Sequence, residues 1–391
     1  MHIVLNGWFW GQMNAGSGQY LHHLAQHLPV VGAEHRYTLV LSEASAIPVP
    51  SGWQVVIAPP AARQLGTNPA KLWFEQVSFP GACRRLGADI TFTPYWGAPW
   101  QRPCPGAVTV HDLIPLLLPA YRGGALQRAY TWLASQTARR ADLVLTDSQA
   151  SRQDIVRRLG IPAERVHAVL LAADEGFQPV SDPAELARVR ERYALPGGRG
   201  DPAPTDQFPA PTDRFILYLG GFDVRKNVAG LVRAYAKLPS FGKDGNFADS
   251  SIRLVIAGQL PEADTPFTPD PRRMVAEAGI ADLVHFTGWV DEADKPALYS
   301  LASLFVFPSL YEGFGLPVAE AAACGAPVLT SNRSSLPEAA PGALLVDPED
   351  VDALAAAMAQ AMQSPRPGLP DPRRTWLDVT RETLTLFKEL S

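Results

Sequence analysis

Cysteine, net charge and long apolar runs are scarce in this 391-residue sequence, and each scarcity excludes something. Cys83, Cys104 and Cys324 are odd in number, lie far apart and form no Cys-x-x-Cys. Neither a disulfide framework nor a thiolate zinc site is indicated, and a reducing cytoplasm is the expected setting. A formal charge of −5 and a pI near 5.9 supply no global field for nucleic acid, so no nucleic-acid partner is expected. The most apolar stretch, 113–120, is broken by Pro115 and Pro119 and is far shorter than the ~20 residues that span a bilayer. The opening Met1-His2-Ile3-Val4-Leu5 lacks the basic and long apolar regions of a signal peptide and reads as a first strand.

What is present is enough to fold. Hydrophobic residues make up 47% and charged residues 19%, and 391 residues at ~150 per domain suggest two or three domains. Proline is in excess at 37, about twice its usual ~5% share. Short aliphatic runs at 37–41, 53–58, 90–93, 107–110 and 143–146 read as strands, with helical patterns at 18–28 and 122–141 between them. A second cycle has strand-like runs at 215–219, 252–257, 284–286, 304–307, 327–330 and 343–346, with helices near 228–238, 295–303 and 317–324. Strands alternating with helices predict parallel sheets, here two α/β domains in tandem. Between them, 181–213 holds a short charged helix at 183–193, followed by Pro196, Pro202, Pro204, Pro209 and Pro211, and reads as a linker or surface insertion. The stretches 240–251 and 261–272 read as excursions.

Three segments carry candidate chemistry. Gly16, Ser17 and Gly18 stand between the first strand and a helix, where glycine lets the backbone approach a ligand and free amides favour an anion. A simple tight turn is the alternative. The segment does not match G-x-G-x-x-G, and no acidic residue ends the second strand to hold a ribose, which argues against a dinucleotide dehydrogenase. Gly220 and Gly221 precede Arg225, Lys226 and Asn227 in a second strand-to-helix turn. An arginine fork and a lysine point charge beside a glycine turn suit a diphosphate, with a solvated cation pair as the alternative. The third segment, 308–328, ends a strand in a loop, Glu312-Gly313-Phe314-Gly315-Leu316-Pro317, and opens a helix whose first turn is expected to carry Glu320. Two carboxylates flanking one anion-binding helix start suit the hydroxyls of a sugar nucleotide.

Together these segments resemble family 4 of the retaining glycosyltransferases, which have the GT-B fold, and the resemblance runs over most of the chain. Glu312 and Glu320 match that family's E-x7-E motif, and 220–227 matches its glycine turn followed by Arg-Lys-Asn. Val110-His111-Asp112-Leu113 and Thr146-Asp147-Ser148-Gln149-Ala150-Ser151 are similar to further family signatures. The segments from Thr330 to Glu338 and from Leu345 to Pro348 are similar to bacterial polysaccharide mannosyltransferases. One departure is Gly221, where many members carry arginine; Arg225 would supply the missing cation.

The resemblance implies an α/β architecture of two Rossmann-like domains facing each other across a cleft: 1–175 for the acceptor, 176–213 as linker or insertion, and 214–374 for the nucleotide sugar, with a C-terminal helix at 375–391 packing back on the first domain. It implies transfer of mannose or glucose from a nucleotide diphosphate sugar, GDP-mannose or UDP-glucose, to a saccharide or lipid-linked glycan, with retention and in cell-surface polysaccharide synthesis. No metal or other cofactor is expected, because no Asp-x-Asp pair lies in a loop beside these motifs. Gly16, Ser17 and Gly18 would face the diphosphate and His111 the transferred sugar. Gly220, Gly221, Arg225 and Lys226 would hold the diphosphate, with the loop residues Gly313, Phe314, Gly315 and Leu316. Glu312 would take sugar hydroxyls, Glu320 the ribose, and the backbone near Val290 the base. A GT-B epimerase and a non-catalytic nucleotide-sugar-binding subunit are the alternatives. Eight arginines in 121–166 (122, 128, 139, 140, 152, 157, 158 and 165) suggest a peripheral contact with anionic lipid at the inner face of the plasma membrane, an ordinary solvated face being the alternative.

Overall fold

Strands form where aliphatic runs can be covered on both faces, as parallel sheets require. The computed structural model describes residues 1–13, 15–196, 214–238, 252–363 and 373–390. Its contacts divide the chain into two units, Met1–Ala172 with Arg374–Ser391, and Ala173–Arg373.

In the first unit β1 (His2–Asn6), β2 (Arg36–Leu41), β3 (Trp53–Ile57), β4 (Ile90–Thr93), β5 (Gly106–Thr109), β6 (Leu143–Thr146) and β7 (Val166–Ala168) form one parallel sheet. Its order is β3-β2-β1-β4-β5-β6-β7. Every residue of β1, β4, β5 and β6 is buried. Chain order reverses at β1, which lies between β2 and β4, so a crevice opens at the carboxyl ends of β1 and β4, where α/β sheets bind ligands. The first helix, Gly16–Val31, is longer than its periodicity suggests and carries Pro29 inside its last turn. Trp376–Leu390 packs on that helix: Trp376 stacks on His23 with centroids 4.2 Å apart, and Phe387 meets Phe92 at 5.0 Å.

In the second unit β8 (Phe215–Leu219), β9 (Arg253–Ala257), β10 (Val284–Gly288), β11 (Leu304–Phe307), β12 (Val328–Ser331) and β13 (Leu344–Val346) are parallel in the order β10-β9-β8-β11-β12-β13. Here the reversal falls at β8, and the crevice lies beyond β8 and β11.

Two expectations change. Residues 176–196, read as linker, are built into the second unit: Arg188, Arg192 and Tyr193 converge on the carboxylate of Asp294, which is 1% exposed. A buried aspartate needs such partners, and they anchor the helix Pro183–Arg192. The rest of that stretch, 197–213, and the whole of the excursion 240–251 lie outside the described residues. The excursion 261–272 ends in the first turn of a helix, Pro271–Glu277, capped by Asp270.

Candidate active site

The crevice of the second sheet gathers the two motifs that stand 86 residues apart. After β8 the chain makes the glycine turn and a single 3-10 turn, Val224–Lys226, and then enters the helix Val228–Ala236. Asn227 makes the junction in the left-handed conformation, φ 54°; its side chain accepts from Gly230 N at 3.2 Å and donates to Pro348 O at 2.6 Å. After β11 the loop runs back alongside it: Leu310 N donates to Arg225 O at 2.8 Å, and Ser309 Oγ lies 3.1 Å from the same carbonyl. Both cations of the first motif then meet the first carboxylate of the second. Lys226 Nζ lies 2.8 Å from Glu312 Oε1, Arg225 Nη1 pairs with Oε2, and Ser309 Oγ donates to Oε1 at 2.6 Å. Arg225 also donates to Tyr311 O at 2.8 Å.

Burial alone would push the Glu312 carboxyl up, but Lys226 and Arg225 outweigh it and hold it below the ordinary value. Asp223 Oδ1 lies 3.4 Å from Arg225 Nε, so the cluster holds two cations and two carboxylates and its charges balance, while Glu312 fixes the rotamers of both cations. Three of the roughly four lone-pair positions of a carboxylate are occupied, leaving room for about one further donor such as a sugar hydroxyl.

The loop behind Glu312 is held from the end of β12. Ser335 Oγ, fully buried, lies 2.9 Å from Glu312 O and 2.8 Å from Phe314 O, and Ser334 Oγ donates to Glu312 O at 2.6 Å. Gly315 has φ 106° and a Cβ there would stand 2.7 Å from the Leu336 side chain, so the turn into the helix Leu316–Ala323 needs glycine. That helix puts Glu320 in its second turn, not in the first as expected; its start at Leu316 leaves no acidic residue in the first turn. Glu320 is half-buried, accepts from Tyr299 OH at 3.0 Å, and is pushed by burial up to about 7, Lys295 only partly opposing. The two glutamates of one motif are therefore tuned in opposite directions. Gly258, absent from the sequence reading, closes the other side: at φ 138° a Cβ would sit 2.2 Å from Gly220 O, and its N–H donates to Gly288 O at 2.9 Å. This draws the loops after β8, β9 and β10 together. Val290 is buried just beyond, and Trp289 beside it is exposed.

In the first unit Gly16 is exposed, Ser17 half-buried and Gly18 buried at the start of their helix. A Cβ on Gly18 would come 2.0 Å from Gln12 O, so this glycine is required by the close turn; Gly16 has open space around it. His111 follows β5 and Asp147 follows β6, and His111 Nδ1 lies 2.7 Å from Asp147 Oδ2. Its Nε2 lies 3.3 Å from Pro94 O, so acceptors face both ring nitrogens. Burial lowers the affinity of His111 for its proton, but the Asp147 charge prevails and the pKa is raised, favouring the imidazolium. Asp147 lies within a quoted signature, yet its pairing with His111 was invisible until β5 and β6 became neighbours. Of the eight arginines in 121–166, Arg139, Arg152 and Arg165 are tied to backbone carbonyls at 2.6, 2.7 and 3.2 Å, so the basic face is smaller than its count. Among the described residues no group of three or more His, Cys, Asp or Glu has metal-binding geometry, and no helix is long and apolar enough to cross a membrane.

The model for Glycosyltransferase Family 4 matches residues 15–175, and the model for Glycosyl transferases group 1 matches 204–376. The O-antigen chain mannosyltransferase B of Escherichia coli is 33% identical over 294 residues, 72% of this chain and 70% of its own. The chain belongs to the family 4 glycosyltransferases. This glycosyltransferase is also 29% identical over 287 residues to the MMP alpha-(1->4)-mannosyltransferase of Mycolicibacterium hassiacum, covering 69% of this chain and 60% of the relative. Sucrose-phosphate synthase from Thermosynechococcus elongatus superposes with a TM-score of 0.71 at 21% identity, over 100% of this chain and 99% of that one. The Anabaena protein HepE, solved with UDP and glucose, gives 0.67 at 16% identity over 99% of each chain. The fold is GT-B, two Rossmann-like units, and the enzyme is a hexosyltransferase.

Proposed function

We propose that this glycosyltransferase moves mannose from GDP-mannose, with UDP-glucose as second choice, to a saccharide or lipid-linked glycan during cell-surface polysaccharide synthesis, with retention and without a metal. The observation that carries the reading is the Arg225–Lys226–Glu312 cluster at the switch point of the second sheet. Its two cations suit a diphosphate, and the loop and helix around Gly313, Phe314, Gly315 and Leu316 suit its oxygens. Relatives named as mannosyltransferases favour mannose, and they fit transfer rather than epimerisation or a silent binding role.

In the proposed reaction the bond from the anomeric carbon to the diphosphate breaks, and the acceptor oxygen bonds to that carbon on the same face. The acceptor's hydroxyl proton passes to a diphosphate oxygen. Arg225 and Lys226 meet the charge of the departing diphosphate, as preorganised cations do in a dry site. Glu312 fixes both cations and offers its remaining lone pair to the sugar. Glu320 takes ribose hydroxyls, the backbone near Val290 takes the base, and Gly220 and Gly221 let the chain pass close to phosphate. In the first unit Gly16 and Ser17 offer amides to a phosphate, Gly18, whose N–H already donates to Ala15 O at 2.9 Å, makes the close turn beside them, and His111, charged by Asp147, contacts a sugar. Exposed Leu126 and Trp132 on the helix Ala125–Arg140 support a peripheral contact with anionic lipid, which liposome flotation tests.

A thermal-shift panel of nucleotide sugars, each at saturating concentration, identifies the donor. A ligand at ~100 times its Kd adds ~2.7 kcal/mol of stability, a clear rise in melting temperature. If no nucleotide diphosphate sugar raises it, the reading fails. NMR of the product's anomeric proton then checks retention.

A further inference from the structure

The amino ends of β4, β5 and β6 carry a cleft that none of the motifs reaches. It measures about 720 Å³, within the ~300–1,000 Å³ usual for small-molecule sites. Its walls are the last turns of the helices Phe79–Leu86 and Ala125–Arg140 and the segment 100–105 that leads into β5. His111 and Asp147 follow the opposite, carboxyl ends of β5 and β6, so the length of β5, four residues at ~3.3 Å each, stands between them and the cleft. Three guanidiniums line it, those of Arg84, Arg102 and Arg140, against the one carboxylate of Asp142. Asp142 is already engaged: Arg102 Nη1 pairs with its Oδ2, and Gly106 N donates to the same oxygen at 2.8 Å. Asp89, which also acts on Cys104 in the cleft wall, accepts from His2 N at 2.6 Å and is not part of the lining. Arg84 and Arg140 have no carboxylate partner among the described residues. Arg84 Nη2 donates to Gln101 Oε1 at 3.4 Å, and the guanidinium carbon of Arg140 lies 4.7 Å from the centroid of Trp100. Trp100 and Gln101 are adjacent, and their segment is pinned where Trp100 N donates to Gln76 Oε1 at 2.8 Å.

Both arginines end helices, where a cation complements the dipole. That accounts for a cation at each place, and Arg139 in the same last turn meets the need differently, by bonding Leu159 O at 2.6 Å. It does not account for the indole plate under Arg140, nor for like charges brought to adjacent residues of one cleft. Such charges repel until an anion enters between them. Guanidinium forks match phosphate oxygens, and the volume leaves room for a polar body beyond the phosphate, with Gln101 in the wall to meet it. The exposed Leu126, on the first turn of the helix that ends in Arg140, stands ~21 Å away along its axis. The cleft is therefore apart from the apolar side chains that face lipid in the peripheral reading, which favours a free ligand.

We propose that this cleft binds a phosphate group carried on a small polar body, such as a phosphorylated sugar, at a site separate from transfer, with Arg84 and Arg140 on the phosphate oxygens. The proposal stands without the donor reading. Cys104 lines the cleft and is partly exposed, whereas Cys83 and Cys324 are buried, so alkylation of Cys104 in the full chain, followed by mass spectrometry, reports occupancy. Inorganic phosphate, mannose 6-phosphate and glucose 6-phosphate are titrated against chloride at equal ionic strength, and phosphatidylglycerol vesicles against phosphatidylcholine vesicles. At least one phosphate probe slows the alkylation severalfold. Arg84→Gln and Arg140→Gln each raise the concentration needed by ~10-fold or more, the loss of a hydrogen bond between charged groups. Both residues are exposed, so both variants keep the fold, as a thermal melt checks. Lys226→Ala, in the other unit, is protected as the parent is. Protection by the soluble phosphates supports a free ester as the ligand; protection by phosphatidylglycerol alone supports the same phosphate chemistry with a lipid headgroup as its source. If no probe protects Cys104, if both arginine variants are protected as the parent is, or if Lys226→Ala abolishes the protection, the arginines only complete their helices and the proposal is overturned.

Discussion

Lys226→Ala separates a cation that only braces the fold from one that also acts on substrate. Lys226 Nζ stands 2.8 Å from Glu312 Oε1 and 4.9 Å from the centroid of Phe307, and its side chain is 13% exposed. A hydrogen bond between charged groups contributes ~1.5–3 kcal/mol, and removing one partner of a fully buried pair costs ~3–5 kcal/mol. Arg225 and Ser309 still serve Glu312 in the variant, so a loss near ~2 kcal/mol is expected. In a unit of about 200 residues each kcal/mol lowers the melting temperature by ~2–4 °C, so the second unit melts ~4–8 °C lower. A donor aimed at developing charge contributes ~10²–10³ in kcat, so turnover falls by two or more decades. Lys226→Arg, which keeps the charge, recovers much of the stability and less of the turnover. The assays are a thermal melt, calorimetry with GDP or UDP, and initial rates with the donor that the panel selects. A melt lowered as calculated with kcat within about threefold of the parent, under 1 kcal/mol of barrier, refutes the reasoning. The ammonium would then brace Glu312 and nothing more.

Three further outcomes follow from the geometry. Glu320 has a folded pKa raised from 4.5 to about 7, so the folded state binds more protons between those values and its stability falls as pH rises through them, by at most ~3 kcal/mol. Glu320→Gln removes that fall, and an unchanged pH dependence of chemical denaturation contradicts it. His111 has a raised folded pKa, so Asp147 stabilises the fold below the unfolded value of 6.5, and the gain is lost as pH rises through the folded value. Asp147→Asn therefore destabilises at pH 6 by more than at pH 9, as melts at the two pH values check; equal losses point to packing alone. Gly258→Ala forces a Cβ to within 2.2 Å of Gly220 O at φ 138°, so it costs ~2 kcal/mol or more and weakens nucleotide binding by shifting the glycine turn. Unaltered nucleotide affinity by calorimetry shows that the turn does not touch the ligand.

Most strands were legible because parallel strands buried on both faces read as continuous apolar runs, as Phe215–Leu219 and Leu304–Phe307 do. β7, Val166–Ala168, has His167 between its two apolar residues and so gives no aliphatic run to recognise. The site was legible as motifs but not as an arrangement. Arg225, Lys226 and Glu312 were each named, yet nothing local says that the two cations share one carboxylate, because the loops meet only when β8 and β11 pair. Ser309, Ser335 and Gly258 went unnoticed for the same reason: a serine or glycine acquires its role from what approaches it.

The sequence by itself determined the class of sheet, the two-unit plan, the glycine turns and the glycosyltransferase family, since these rest on periodicity and on short motifs whose chemistry is local. Tertiary structure alone decided how the charges are used. It raised the Glu320 pKa to about 7, held Glu312 below its ordinary value and placed 176–196 inside the second unit. Each depends on desolvation and on neighbours brought from distant strands, terms that no window of sequence contains.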